Sequence, residues 1–223
     1  MMDPATRMIV TGADQPLGAA AAVGLRRRGA AVLPVDVAPM DRTAACARID
    51  AAIAELGGLD VLVISGWYPP ALQPRPFEML DDADFEGIWE RGMQGMLWSM
   101  QAAIPHLRES CGNIVVLVPT TGMSGGSQFG AAAATFEAQR ILMKAAARQL
   151  GPDGIRVNAV AVAPELVLAD AESAEGHYLA PSAIAQEASA DDVCDIVAFV
   201  VGHTGRHLCG QTITIDGGRW LAP

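Results

Sequence analysis

The stretch TGADQPLGAA, residues 11–20, follows the apolar run Met8-Ile9-Val10 and leads into a series of small apolar residues. A short apolar run, a glycine turn and then a helical pattern describe a strand that turns into a helix. Gly12 supplies the tight turn, and Gly18 permits close packing of helix on strand. Where such a turn holds a nucleotide, backbone N–H groups and the helix N-terminus face the phosphates. Two residues oppose that use here. Pro16 has no N–H to offer, although proline suits the first turn of a helix. Asp14 adds a negative charge, and its position predicts that its carboxylate caps the helix, meeting the dipole a phosphate would otherwise meet.

Outward from this turn, short β-rich runs alternate with longer helical patterns, the signature of βαβ units and a mainly parallel sheet. Strands are expected near Met8–Thr11, Ala31–Val35, Asp60–Ile64, Asn113–Val118, Arg156–Ala161 and Thr212–Ile215. Helices are expected near Pro16–Arg28, Arg42–Leu56, Asp82–Arg108, Ala131–Leu150 and Ala190–Val201. Proline content makes Pro69–Pro76 a loop, and glycine and serine make Thr120–Gly130 another. The polar segment 163–190 is expected to lie like a lid over the strand ends, with at most a short helix of its own. Residues 1–223 show no internal repeat and read as one domain.

Asp and Glu total 25 against 15 Lys and Arg, a net charge of −10, which argues against a nucleic-acid partner. Cys46, Cys111, Cys194 and Cys209 are widely spaced, with no C-x-x-C and no histidine at ligand spacing, so neither a metal site nor a disulfide framework is expected. The first strand begins too early for a signal peptide, and no apolar run is long enough to span a bilayer. A cytoplasmic location is the expectation.

Four segments in order are similar to motifs of the short-chain dehydrogenase/reductase (SDR) superfamily. TGADQPLG (11–18) resembles its T-G-x-x-x-G-x-G turn, and GGLDVLV (57–63) the entry to its fourth strand. GPDGIRVNAVAVAP (151–164) resembles the sixth-strand entry, and GQTITIDGG (210–218) the C-terminal signature. The resemblance implies an α/β, doubly wound Rossmann-type parallel sheet with its ligand at the carboxyl ends of the strands. It implies NAD(H) as cofactor, with Gly12, Gly18, Asp36 and Gly66 as the binding positions. Asp36 lies 24 residues after Gly12, where a carboxylate binds a ribose 2′-hydroxyl and repels a 2′-phosphate; an ordinary strand-end acid is the other reading.

The same resemblance marks departures. The family's middle glycine is Pro16. Only one helix fits between Asp36 and Asp60, so the usual third strand and its helix are expected to be missing and the sheet shortened. The loop written Asn-Asn-Ala-Gly in the family reads Ile64-Ser65-Gly66-Trp67. ERGMQGMLW (90–98) aligns Gly92 with the family's catalytic Asn, and IVVLVPTTG (114–122) aligns Pro119 with its Ser. Counting back without a gap from ARQLGPDGIRVNAV (147–160) puts Ala132 and Phe136 at the positions of Tyr and Lys. Lys144 is the sole lysine, and neither of the two tyrosines, Tyr68 and Tyr178, precedes it at the required spacing. Positioned acid–base groups contribute roughly 10²–10⁴-fold to such reactions. The expectation is therefore an SDR-fold protein without its own hydride transfer, binding NAD(H) weakly or not at all.

Other candidates remain open at this stage. Thr120, Thr121, Ser124, Ser127 and Gln128 form either a small-molecule site or a solvated loop. Glu137 and Arg140 have the spacing of a surface ion pair. His177 and Tyr178 would serve a non-redox isomerase or lyase if they face the strand ends. Met93, Met96 and Met100 give their helix an adaptable apolar face for core or interface. SDR oligomers pair the helices corresponding to Asp82–Arg108 and Ala131–Leu150, which implies a homo-oligomer, or a hetero-oligomer with a catalytically intact SDR paralogue. The alternative is a divergent NAD(H)-dependent dehydrogenase or reductase.

Overall fold

Runs of valine and isoleucine bounded by turns make strands buried on both faces, as a parallel sheet covered by helices requires. The computed structural model describes residues 3, 5–36, 41–67, 69–167 and 182–221. The strands are β1 (Arg7–Thr11), β2 (Ala31–Val35), β3 (Val61–Ile64), β4 (Asn113–Pro119), β5 (Arg156–Val162) and β6 (Thr212–Ile215). All pair in parallel, in the order β2-β1-β3-β4-β5-β6. β2 is an edge strand, which is why Pro34 is tolerated within it. Among the described residues no strand lies outside β2, in keeping with the shortened sheet expected from the sequence.

The helices are α1 (Pro16–Arg27), α2 (Arg42–Leu56), α3 (Asp82–Ser110), α4 (Thr121–Ser124), α5 (Gly130–Leu150) and α6 (Ala190–Val201). Alternate strand residues serve opposite faces. Met8, Val10, Val61, Val63, Val115 and Leu117 pack with Leu17, Leu25, Val193 and Val197 of α1 and α6. Ile9, Leu62, Ile114 and Val116 pack with Ile49, Met96, Met100, Leu107 and Met143 of α2, α3 and α5. Met96 and Met100 are thus core residues.

Local signals set the helix ends. Asp41 caps α2 by accepting from Ala44 N–H at 2.9 Å, and Asp81 caps α3 by accepting from Asp84 N–H at 2.8 Å. Ser189 and Asp192 form a reciprocal capping box on α6. The segment Thr120–Gly130 is not all loop. Ser124 N–H donates to Thr120 O at 3.0 Å and Gly125, at φ 73°, stops the helix after one turn. Asp14 does not cap α1, contrary to expectation. The turn closed by Gln15 N–H to Gly12 O at 3.1 Å makes Gln15 the residue before Pro16, and a capping side chain must come from that position.

Two polar staples hold the frame. Arg156 of β5 donates to the carbonyls of Val200 (2.8 Å), Val201 (3.0 Å), Gly205 (2.9 Å) and Leu208 (3.3 Å), tying the end of α6 to the sheet. Asp60 accepts from Arg7 N–H at 2.8 Å, from Nε at 2.9 Å and from Nη2 at 2.7 Å, locking β1 against the entry to β3.

Candidate functional site

The chain leaves β1 for β2 on one side and returns to β3 on the other, so the topological switch point lies between β1 and β3. In open α/β sheets the ligand crevice lies there, outside the carboxyl ends of the strands. The β1–α1 turn and the segment after β3 form its walls, and they touch. A Cβ on Gly12 would sit 2.5 Å from Gly66 Cα, so glycine is required, as it is by the φ of +70° at Gly12. Gly18 is equally constrained, since a Cβ there would lie 2.1 Å from Gly12 O. The structure thus brings Gly12, Gly18 and Gly66 together.

Gln15 bridges the two walls. Its Nε2 donates to the Trp67 carbonyl, and its Oε1 accepts from Trp67 N–H at 3.3 Å. Gln15 is 6% exposed and Trp67 3%. Sequence reading passed over Gln15; the available signal was a glutamine in an N-cap position that favours Ser, Thr, Asp or Asn. Asp14 stands exposed at the rim, and partial burial of its carboxyl, then the charge of Asp36, raise its pKa above the ordinary carboxylate value. Asp36 follows β2, and its carbonyl accepts from Arg48 Nη1 at 3.2 Å. A dinucleotide laid along the α1 N-terminus would meet features both for and against it. Gln15 joins the two walls, Pro16 lacks an N–H and Asp14 adds a carboxylate at the rim, whereas Asp36 at the end of β2 stands where a carboxylate can hold a ribose 2′-hydroxyl.

Farther along the strand ends, Ala132 and Phe136 lie one turn apart on α5, exposed by 2% and 4%. They share one apolar cluster with Trp67, Ile88, Phe129, Val160 and Val162. The backbone of α4 presses on this position, for a Cβ on Gly122 would lie 2.8 Å from Phe136 Cβ. Pro119 ends β4 opposite Val162. Gly92 faces α5, with a Cβ there 2.5 Å from Thr135 Cγ2, and its carbonyl accepts from Gln139 Nε2 at 2.7 Å. Glycine at this position lets α3 and α5 approach.

Of the other candidates, Thr120 and Thr121 are buried while Ser127 and Gln128 are exposed, so the five polar residues do not form one solvated loop. Ser127 and Gln128 line a cavity of about 290 Å³ together with Arg75, Phe77, Ile88 and Ala132. Glu137 and Arg140 form the expected ion pair, with Arg140 Nε 2.7 Å from Glu137 Oε2. Lys144 lines a separate groove beside β6, with Arg140, Thr212 and Trp220. Glu165 after β5 pairs with Arg219 after β6, a contact that sequence spacing did not suggest. His177, Tyr178 and Tyr68 lie outside the described residues, as does half of the segment expected to act as a lid. Among the described residues no cluster of His, Cys, Asp or Glu is arranged to hold a metal, and no helix is long and apolar enough to cross a membrane.

Comparison with known proteins agrees with this architecture. The family model described as enoyl-(acyl carrier protein) reductase matches residues 5–219. A relative, 4-formylbenzenesulfonate dehydrogenase of Comamonas testosteroni, is 27% identical, with 95% of this chain and 96% of that protein covered. A short-chain dehydrogenase of Burkholderia cenocepacia, solved in complex with NADP, superposes with a TM-score of 0.84 at 28% identity, covering 96% of this chain and 98% of that one. A dehydrogenase/reductase of Sinorhizobium meliloti superposes with a TM-score of 0.83 at 26% identity, covering 96% and 94%. With the β1–α1 glycine turn, the parallel sheet and a match along nearly its whole length, the chain belongs to the enoyl-(acyl carrier protein) reductase family, within the short-chain dehydrogenase/reductase superfamily.

Proposed function

We propose that this protein is an SDR-fold subunit without hydride-transfer activity of its own, serving as a structural or regulatory partner in a homo-oligomer or beside a catalytically intact SDR paralogue. One observation carries the reading. Ala132 and Phe136, at the positions the resemblance gives to the proton donor and its cationic neighbour, are apolar and buried in a hydrophobic cluster. Neither side chain can donate a proton or hold a charge, and Gly92 and Pro119 bring no polar side chain to the two remaining positions. Pro16 without an N–H and the Asp14 carboxylate at the β1–α1 turn favour weak NAD(H) binding or none. Exposed Trp89 and Leu97 on α3 and Ile141 on α5 supply apolar surface for an oligomeric role. The cavity beside Phe77 and Ile88 offers room for a small molecule.

The names of the relatives favour a second reading, a divergent NAD(H)-dependent dehydrogenase or reductase, in which other groups move the proton. One experiment separates the two. The purified chain is incubated with NADH and a panel of ketones and aldehydes, and with NAD⁺ and alcohols. The proposal expects no cofactor turnover above buffer, and co-purification from the native source is expected to recover a related SDR chain. Robust NADH-coupled carbonyl reduction by the isolated polypeptide overturns it.

A further inference from the structure

We infer that the groove between α5 and the open edge of β6 binds a small aromatic anion, a carboxylate or phosphate monoester carried on a ring, with Lys144 holding the charge and Trp220 the ring. The inference goes beyond the proposed function, which concerns Ala132 and Phe136 in the apolar cluster.

The groove has a volume of about 550 Å³, room for a ligand of one or two rings. Glu137, Arg140 and Lys144 recur at i, i+3 and i+7 of α5 and share the helix face that lines it. On the strand side, Ile213 and Ile215 pack against the α1–α6 cluster, which turns Thr212 and Thr214 towards α5. Among the described residues β6 pairs with β5 alone and ends the sheet. The Gln211 and Ile215 carbonyls accept from Ala159 N–H at 2.8 Å and Ala163 N–H at 3.1 Å. Alternation along the ladder then leaves the Thr212 and Thr214 peptide groups on the open edge.

Trp220 is held as a wall. Asp216, 4% exposed, accepts from Gly218 N–H at 3.0 Å and from Trp220 N–H at 2.9 Å, while Arg219 between them pairs with Glu165. Two donors in the groove are left unused. Glu137 neutralises Arg140, but Lys144 has no ion-pair partner among the described residues. The Thr212 hydroxyl is buried without a hydrogen-bond partner, so an acceptor settling on the floor of the groove gains a donor that water does not reach. In a chain of net charge −10, this groove carries two cations against one carboxylate. A donor-rich, locally positive groove with an aromatic wall selects an acceptor-bearing anion on a flat ring.

The experiment uses the full chain and reads binding by calorimetry. Phenyl phosphate and benzoate are the probes, with benzyl alcohol as the uncharged ring and inorganic phosphate as the anion without a ring. Phenyl phosphate should bind about tenfold or more tightly than benzyl alcohol and about threefold or more tightly than inorganic phosphate, with benzoate ranking above benzyl alcohol. Lys144→Met keeps the apolar stem, removes the charge and should weaken phenyl phosphate about tenfold or more. Thr212→Val and Trp220→Leu should each cost about threefold or more. Arg148→Met removes a cation of the same helix that does not line the groove, and leaves affinity unchanged. Because Lys144 is the sole lysine, its acylation by an N-hydroxysuccinimide ester is followed on one peptide of the parent protein, which no folding defect can confuse. Phenyl phosphate at about ten times its Kd should slow that acylation about tenfold. The site is overturned if phenyl phosphate binds no more tightly than benzyl alcohol, if Arg148→Met costs as much as Lys144→Met, or if Lys144 is not protected. NADH-coupled turnover by the parent protein would sink the proposed function and leave these binding ratios untouched.

Discussion

Replacing Phe136 by lysine restores the residue type that the resemblance places at this position and measures how apolar the site is. Phe136 is 4% exposed, its neighbours in the cluster are Trp67, Phe129, Val160 and Val162, and α4 closes over it at Gly122. An ammonium introduced there meets no carboxylate within that cluster and must either remain charged in low dielectric or lose its proton. With a free lysine value of about 10.4, carrying it neutral costs at most about 4.6 kcal/mol at pH 7 and about 1.9 kcal/mol at pH 9. Phe136→Lys should therefore destabilise the fold by roughly 3–5 kcal/mol at pH 7. Burial depresses the lysine pKa in the folded state, so the penalty shrinks as pH rises towards the unfolded value, by up to about 2.7 kcal/mol between pH 7 and pH 9. Phe136→Met keeps the apolar fill and should cost less than about 2 kcal/mol with no pH response. Urea unfolding followed by circular dichroism at both pH values, each against the parent protein, reads these differences. A Phe136→Lys variant within about 1 kcal/mol of the parent at pH 7 would falsify the reasoning. The ammonium would then have reached water or a carboxylate, and the position would be a polar opening rather than a plug.

Three further outcomes are expected. Arg156→Met strips the donors from four carbonyls at the end of α6 and should cost about 3 kcal/mol or more in urea unfolding; a loss below about 1 kcal/mol would show that water replaces the guanidinium. Hydrogen bonds from the Arg7 side chain hold the Asp60 pKa below its ordinary value, so the stabilisation is present at neutral pH and disappears as pH falls through the depressed folded value. Asp60→Asn should then lose about 1–2 kcal/mol at pH 7 and converge on the parent protein in acid, and an undiminished gap at low pH would contradict the assignment. Burial raises the Cys194 thiol from 9.0 to about 11, so the unfolded thiol ionises first and stability falls from pH 9 towards pH 11. In native protein at pH 8, Cys111 and Cys209 should react with a thiol reagent and Cys194 only after unfolding; prompt labelling of Cys194 would show that α1 and α6 do not seal it.

Most of the fold was legible because its signals are local. The strands are short valine- and isoleucine-rich runs, and the helices begin at Asp41, Asp81 and Ser189 with caps that act within three residues. That no described strand lies outside β2 followed from the length between Asp36 and Asp60. Errors fell where two local preferences competed. Asp14 is a good cap by chemistry, but the turn closed on Gly12 put Gln15 in the capping position. Thr120–Gly130 reads as loop by composition, yet its first residues coil into a turn that Gly125 then ends.

Sequence by itself determined the parallel α/β frame and the glycine turn, and it put apolar Ala132 and Phe136 where the resemblance implies a proton donor and a cation. Tertiary structure alone decided what became of the space between them. Gln15 and Trp67 are 52 residues apart, and only the pairing of β1 with β3 brings the amide of one onto the peptide of the other. Likewise, only the packing of α4 and α5 over the strand ends makes Phe136 part of a closed cluster. Contacts of this kind join segments with no periodic or capping relation to one another, so their geometry exists only once the sheet has set which loops become neighbours.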